Sequence, residues 1–199
     1  MKQKNYTKHF TFLSVLLVVL FFVNISLGSV SIPFKVIINT LTGGIASKES
    51  WETIILNFRL PKAITAALVG IGLSISGLLM QTVFRNPLAG PYVLGLSSGS
   101  SLGVAFVIMG ASILPGFFAE LFVSSIGILF ASILGSLFVL SLVFLVSKKL
   151  KDTLSILIVG LMFSSFTGAI VSVLTYFSTA EQLQKFTFWS MGNLGNLSW

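Results

Sequence analysis

Residues 121–147 read LFVSSIGILFASILGSLFVLSLVFLVS, a stretch without a single charge. A helix crosses the ~30 Å hydrocarbon core of a bilayer in about 20 apolar residues. This stretch therefore predicts a membrane-spanning helix, and others resemble it. Uncharged runs also cover residues 10–34, 63–84, 86–119 and 153–180. Charged residues make up 9% of the chain, hydrophobic ones 55%, and the mean hydropathy is +1.02. A soluble domain carries about 25% charged residues. An ordinary water-soluble enzyme or nucleic-acid-binding domain is excluded, despite the net charge of +7. The expected fold is all-α: a polytopic membrane helix bundle.

Working outward from that run, we expect a single transmembrane domain over residues 1–199 with spans at about 10–30, 63–84, 92–114, 121–147 and 153–177. Pro115-Gly116 breaks the third uncharged run near its end. Residues 31–58 form the expected external segment. The tail from Gln182 is aromatic, and Gly192 and Gly195 break it too often for a span. The basic start and apolar run at the N-terminus imitate a secretion signal, but residues 10–30 exceed a 7–15-residue signal core and no small-x-small cleavage site follows. A retained helix is expected. There is no cysteine, so disulfides, thiolate metal sites and cysteine nucleophiles are excluded.

Orientation is read from Lys and Arg in short loops. With a cytoplasmic N-terminus, the inside holds Lys2, Lys4, Lys8, Arg85, Lys148, Lys149 and Lys151, against Asp152. The outside holds Lys35, Lys48, Arg59, Lys62 and Lys185, beside Glu49, Glu52, Glu120 and Glu181. The bias favours a multi-pass cell (inner) membrane protein with its N-terminus inside. No basic patch interleaves with aromatics, so no nucleic-acid partner is expected; the lipid bilayer is.

Small residues recur four apart along the expected helices: Ala66, Gly70 and Ser74 with Gly77 near the same face; Gly95, Gly99 and Gly103; Gly127, Ala131 and Gly135; Gly160, Ser164, Gly168 and Ser172. Such stripes let helix backbones approach closely. Gly, Ala and Ser are also simply common in membrane helices, so the stripes indicate a packed bundle and nothing about substrate. The five uncharged cores contain no Asp, Glu, His, Lys or Arg, and the one histidine, His9, lies in the basic tail. That excludes an intramembrane proton relay, an Arg-rich voltage sensor and a His/Asp/Glu metal site. No cofactor is implied. Ser97, Ser98, Ser100 and Ser101 have no neighbouring base and read as packing residues. Sodium coupling through carbonyls and hydroxyls stays open; otherwise uphill transport by such a chain would draw its energy from a partner.

The loops are more specific. Arg59-Leu60-Pro61-Lys62 stands at the start of the second span, where Pro61 suits a first helical turn. Between the second and third spans, Gln81 leads to Arg85-Asn86-Pro87-Leu88-Ala89-Gly90-Pro91 and then Leu94-Gly95-Leu96-Ser97-Ser98-Gly99. Asn86-Pro87 starts a turn, and by itself this is only a connection between hairpinned helices.

These motifs, in this order and spacing, together with Gly72-Leu73-Ser74-Ile75-Ser76-Gly77-Leu78-Leu79-Met80-Gln81 and Phe188-Trp189-Ser190-Met191-Gly192-Asn193-Leu194, resemble the FecCD-type permeases of ABC importers. The resemblance covers roughly residues 51–199. It implies uptake of an iron–siderophore, haem or cobalamin through two permease subunits, a homodimer or pseudo-dimer. It also implies an ATP-binding subunit pair on the cytoplasmic face and an extracytoplasmic substrate-binding protein outside. The chain itself is then not an enzyme, in keeping with the lack of a GxxxxGK[ST] phosphate loop. Permeases of this family have about ten transmembrane helices in two similar halves, so this chain resembles the N-terminal half and stops before the helices that receive force from the ATPase. Arg59 and Lys62 match the family's docking residues for the binding protein, with Lys62 where arginine is usual; as an alternative they are interfacial anchors beside Trp51. Gln81, Asn86, Pro87 and Pro91 match the inner-loop motif and either help form an inner gate or merely shape the turn. Without the resemblance, a small channel or secondary-carrier subunit, or a non-transporting membrane scaffold, fits the hydropathy equally well.

Overall fold

A computed structural model describes residues 6–44, 48–111, 116–150, 152–192, 194 and 199. Among these residues the regular structure is entirely helical: α1 (Thr7–Ser26), α2 (Phe34–Leu41), α3 (Glu49–Thr53), α4 (Leu60–Phe84), α5 (Leu96–Gly110), α6 (Gly116–Val123), α7 (Ser125–Ser147), α8 (Thr153–Tyr176) and α9 (Ala180–Ser190), with a π-turn at Ile54–Arg59 and a 3₁₀ turn at Pro91–Leu94. Lys2, Lys4 and Lys151, counted above for orientation, lie outside the described residues, as do residues 112–115 and most of the tail beyond Gly192. Four helical stretches are long and apolar enough to cross a bilayer: Thr7–Ser26, Glu49–Phe84, Ser125–Ser147 and Leu154–Tyr176. The architecture is an all-α polytopic membrane bundle, as expected.

The chain divides into two units, residues 1–71 with 194–199, and residues 72–193. In the first, Ile25, Ile32, Ile37, Ile55 and Ala63 form the buried cluster, with Phe22, Trp51 and Leu60 against it. The helix through Glu49–Phe84 departs from expectation at Pro61. Proline lacks an N–H and its ring crowds the carbonyl four residues back, here Asn57. The chain answers by widening into the π-turn, where the Leu60 N–H donates to the Ile55 carbonyl. Pro61 therefore sits inside one continuous 36-residue helical stretch and does not start a helix. At 1.5 Å per residue that stretch is about 54 Å long, more than a bilayer core requires.

In the second unit α5 is the buried element. Leu102, Val104, Ala105, Ile108 and Met109 are buried on it, and it packs on α7, α8, α9 and α6. The expected third span, 92–114, takes a different form. Pro91 opens a 3₁₀ turn, and Gly95 adopts φ +80°, a left-handed conformation open to glycine at little cost. The 15-residue α5 follows, and residues 112–115 after it lie outside the described residues. The tail holds a helix that sequence reasoning passed over. Thr179 and Gln182 form a reciprocal capping box that starts α9, and Phe186 seats it against Val104, Ala105 and Ile108. On its outer face Lys185 Nζ lies 2.8 Å from Glu181 Oε1. That hydrogen bond, and secondarily the charge, hold the Glu181 carboxyl below its usual value.

Candidate functional site

The first site grows from the end of α1. A helix leaves its last carbonyls without intrahelical partners. Arg59 supplies them. Its Nη1 donates to the Ile25 carbonyl at 2.6 Å and the Ser26 carbonyl at 2.9 Å, and its Nη2 donates to the Val30 carbonyl. Arg59 is 9% exposed. A cation at a helix C-terminus also meets the negative end of the macrodipole. The Ser26 hydroxyl donates to the Ile32 carbonyl at 3.1 Å and ties the same connection a second time. Lys62 stands one turn further on with its side chain exposed. A cleft of about 360 Å³ lies beside the pair, lined by Asn24, Gly28, Ser29, Phe58, Arg59 and Lys62. Sequence reasoning treated Arg59 and Lys62 as equivalent rim charges; the structure separates them, because the end of α1 lies 33 residues from Arg59 and no local pattern reveals it.

The second site follows α4. The Asn86 N–H donates to the Gln81 carbonyl at 3.2 Å and the Arg85 N–H to the Thr82 carbonyl at 3.3 Å. This is the paired closure of a helix C-terminus that usually has glycine at the left-handed position; here Arg85 holds it at φ +47°. Asn86 Oδ1 accepts from the Leu88 N–H at 2.9 Å, the local turn bond open to asparagine. Pro91 begins the 3₁₀ turn. The loop then packs through Phe84 and Ala89 onto Leu157 of α8. In this geometry Gln81, Asn86, Pro87 and Pro91 shape and anchor a turn.

Beyond that turn lies a cleft of about 650 Å³, lined by Ser76, Tyr92, Ser97, Ser100, Ser136 and Trp189 among others. The Ser98 hydroxyl is turned to the Gly95 carbonyl at 2.9 Å, in its expected role. Ser97, Ser100 and Ser101 instead face the cleft. Their spacing, three and four apart, places them on one helix face, a signal available in the sequence. Hydroxyls there can donate to and accept from a polar solute or water, and carry no charge. Among the described residues no group of three or more His, Cys, Asp or Glu could hold a metal ion.

The small-residue stripes divide in two. A side chain at Gly99 would meet the Gly135 carbonyl oxygen at 2.6 Å and Val139 Cβ at 2.9 Å; one at Gly103 would strike the Ala131 carbonyl; one at Gly135 would meet the Gly103 nitrogen at 2.9 Å. The Ser136 hydroxyl crosses the same interface to the Leu96 carbonyl at 3.0 Å. Gly95 packs on Val139, and Gly160 sits against Val93 and Leu94. Gly127 is tight against the Phe122 carbonyl, in the bend between α6 and α7. A Cβ at Gly70, Gly77 or Gly168 would meet nothing within 4 Å.

Helices of this length and apolarity, closed by glycine-mediated backbone contact and free of ionisable groups in their cores, define a polytopic membrane protein. Residues 16–199 match the FecCD transport family, and the chain belongs to it. It is 39% identical over 189 residues to the hemin transport system permease protein HmuU of Yersinia pestis, covering 94% of this chain and 54% of that protein. It is 33% identical to the molybdate import system permease protein MolB of Haemophilus influenzae, covering 100% and 58%. It is 30% identical to the vitamin B12 import system permease protein BtuC of Vibrio parahaemolyticus, covering 100% and 55%. A solved structure described as an inward-facing metal-chelate type ABC transporter superimposes with a TM-score of 0.76 at 31% identity, over 98% of this chain and 56% of that one. The chain thus spans about half the length of the curated relatives it matches.

Proposed function

We propose that this chain forms part of the permease of a binding-protein-dependent ABC importer that carries a metal chelate of the haem, iron–siderophore or cobalamin class. The observation that carries the reading is the likeness, over 98% of the chain, to a metal-chelate type transporter, in a family whose HmuU is a hemin permease. In this reading the ATP-binding pair is a separate partner on the cytoplasmic face and a second permease subunit completes the path. The extracytoplasmic binding protein docks outside near Lys62. The Gln81–Pro91 turn lies inside, as do the N-terminus and Lys148-Lys149. Excess Lys and Arg in those short segments support this orientation.

The test is reconstitution of the full-length gene product in liposomes with its ATP-binding subunit and binding protein, offered haem, a ferric siderophore and cobalamin separately. The expected result is ATP-dependent uptake of one of the three, and none without ATP. Uptake that needs no ATPase would replace the reading with a channel or secondary carrier. Orientation is checked in intact cells with an impermeant thiol reagent. Lys48→Cys should label from outside and Lys149→Cys only after permeabilisation; the reverse pattern would invert the topology.

A further inference from the structure

We propose that Trp199 holds the helical stretch Glu49–Phe84 in its π register by supplying the hydrogen bond that Pro61 withholds from the Leu56 carbonyl. The result is a two-position device. The donor that Leu56 accepts from sets the rotation of the outer helix segment, residues 49–55, against the start of α4.

A backbone carbonyl in an α-helix accepts from the N–H four residues on, and in a π-turn from the N–H five residues on. Leu56 is denied both. The Leu60 N–H, its α-helical donor, is drawn back to the Ile55 carbonyl. Residue 61, its donor in the π pattern, is proline and has no N–H. A carbonyl left without a donor costs free energy wherever water is scarce. The Trp199 indole fills the gap: its Nε1 donates to the Leu56 carbonyl at 2.8 Å. Trp199 belongs to the same unit as residues 1–71. Its ring is exposed, so this bond and not burial fixes the N–H.

The spacing of the inward contacts shows what the π register achieves. Trp51, Ile55 and Ala63 share one cluster, and Arg59 reaches the Ile25 carbonyl beside it. Positions 51, 55, 59 and 63 are four apart. At 3.6 residues per turn each step of four drifts by about 40°, so three steps drift by about 120°. The residue absorbed by the π-turn takes back about 100°, and the set returns to nearly one face. In a plain α register Leu56 takes the angular place of Ile55, and Ile55 turns out of the cluster. With the Trp199 N–H withdrawn, the Leu60 N–H becomes the available donor for Leu56. That pairing is the α-helical one, so the outer segment slips by one residue.

The experiment uses the full-length chain in lipid nanodiscs, with single cysteines read by their rate of reaction with a maleimide. Residues 1–199 contain no cysteine; any elsewhere in that chain is first replaced by serine. With Trp199 present, Ile55→Cys should react slowly and Leu56→Cys faster. Trp199→Phe keeps a ring and removes the N–H. It should speed Ile55→Cys about tenfold and slow Leu56→Cys by a similar factor, which corresponds to about 1.4 kcal/mol. Opposite signs are the signature of a register slip. Both rates rising would report local unfolding and overturn the device. Both unchanged would mean that water satisfies Leu56, and would overturn it too. The second arm is Pro61→Ala, which restores a backbone N–H and frees Leu56 from its dependence on the indole. In that background Trp199→Phe should change neither rate, and a change as large as in the parent overturns the proposal. If Trp199→Phe alone does not accumulate, adding Pro61→Ala should restore it; failure to restore it also overturns the proposal.

Discussion

Gly103→Val in α5 is expected to leave almost no folded protein in the membrane, with Gly99→Val close behind. At both positions the obstacle is backbone: the Ala131 carbonyl faces Gly103, and a Cβ at Gly99 would lie 2.6 Å from the Gly135 carbonyl oxygen. A flexible side chain could swing aside; a helix backbone must translate as a whole. Overpacking commonly costs 1–3 kcal/mol, and separating α5 from α7 also breaks the Ser136–Leu96 bond. A penalty of about 3 kcal/mol or more follows. The measurement is membrane abundance and the thermal midpoint of purified protein. Gly168→Ala is the control: its Cβ meets nothing within 4 Å, and alanine's better helix propensity is worth up to about 1 kcal/mol. Equal losses at Gly103 and Gly168 would contradict the packing described here.

Phe186→Ala is expected to release α9. Phe186 is the buried residue of that helix and stacks on Trp189 with ring centroids 6.1 Å apart. The Gln182 side-chain amide also reaches α5, donating to the Met109 carbonyl at a long 3.4 Å, and Trp189 packs against the same cluster. Truncating a core phenylalanine costs about 3–5 kcal/mol, more than an 11-residue helix can replace from its own propensity. Amide hydrogen exchange over residues 180–190 should accelerate by at least about a hundredfold, the factor that 2.8 kcal/mol implies. Lys185→Ala, which breaks only an exposed ion pair, should leave exchange nearly unchanged. Slow exchange in Phe186→Ala would mean that α9 is held by contacts other than Phe186.

Much of this fold was legible because charge is so rare. Each uncharged run around α1, α4, α7 and α8 announced its helix, and the loop motifs announced the family. What stayed hidden depended on distance or on local backbone choice. Gly103 and Gly168 look alike in their stripes, yet only Gly103 has a helix lying across it; a stripe does not name its partner. Within the expected third span, Gly95 reads as one more small residue until its positive φ is seen. Pro61 suggested a helix start, but the π-turn upstream absorbed the proline instead. Arg59 carried a motif and no hint of α1. The Thr179–Gln182 cap, by contrast, was written plainly in the sequence, and the glycines after it drew attention away.

Gly160 has a consequence for insertion. The 15 residues of α5 rise about 22 Å, short of the ~30 Å hydrocarbon thickness. The irregular chain at Pro91–Gly95 leads into α5. Hydrocarbon tolerates such backbone only where protein or water covers it. Gly160 lets α8 lie directly on Val93 and Leu94, so the bare backbone of one helix covers that segment. A bulky residue at 160 would strip this cover and present polar peptide groups to lipid. The first process to fail would then be retention of the nascent hairpin in the bilayer.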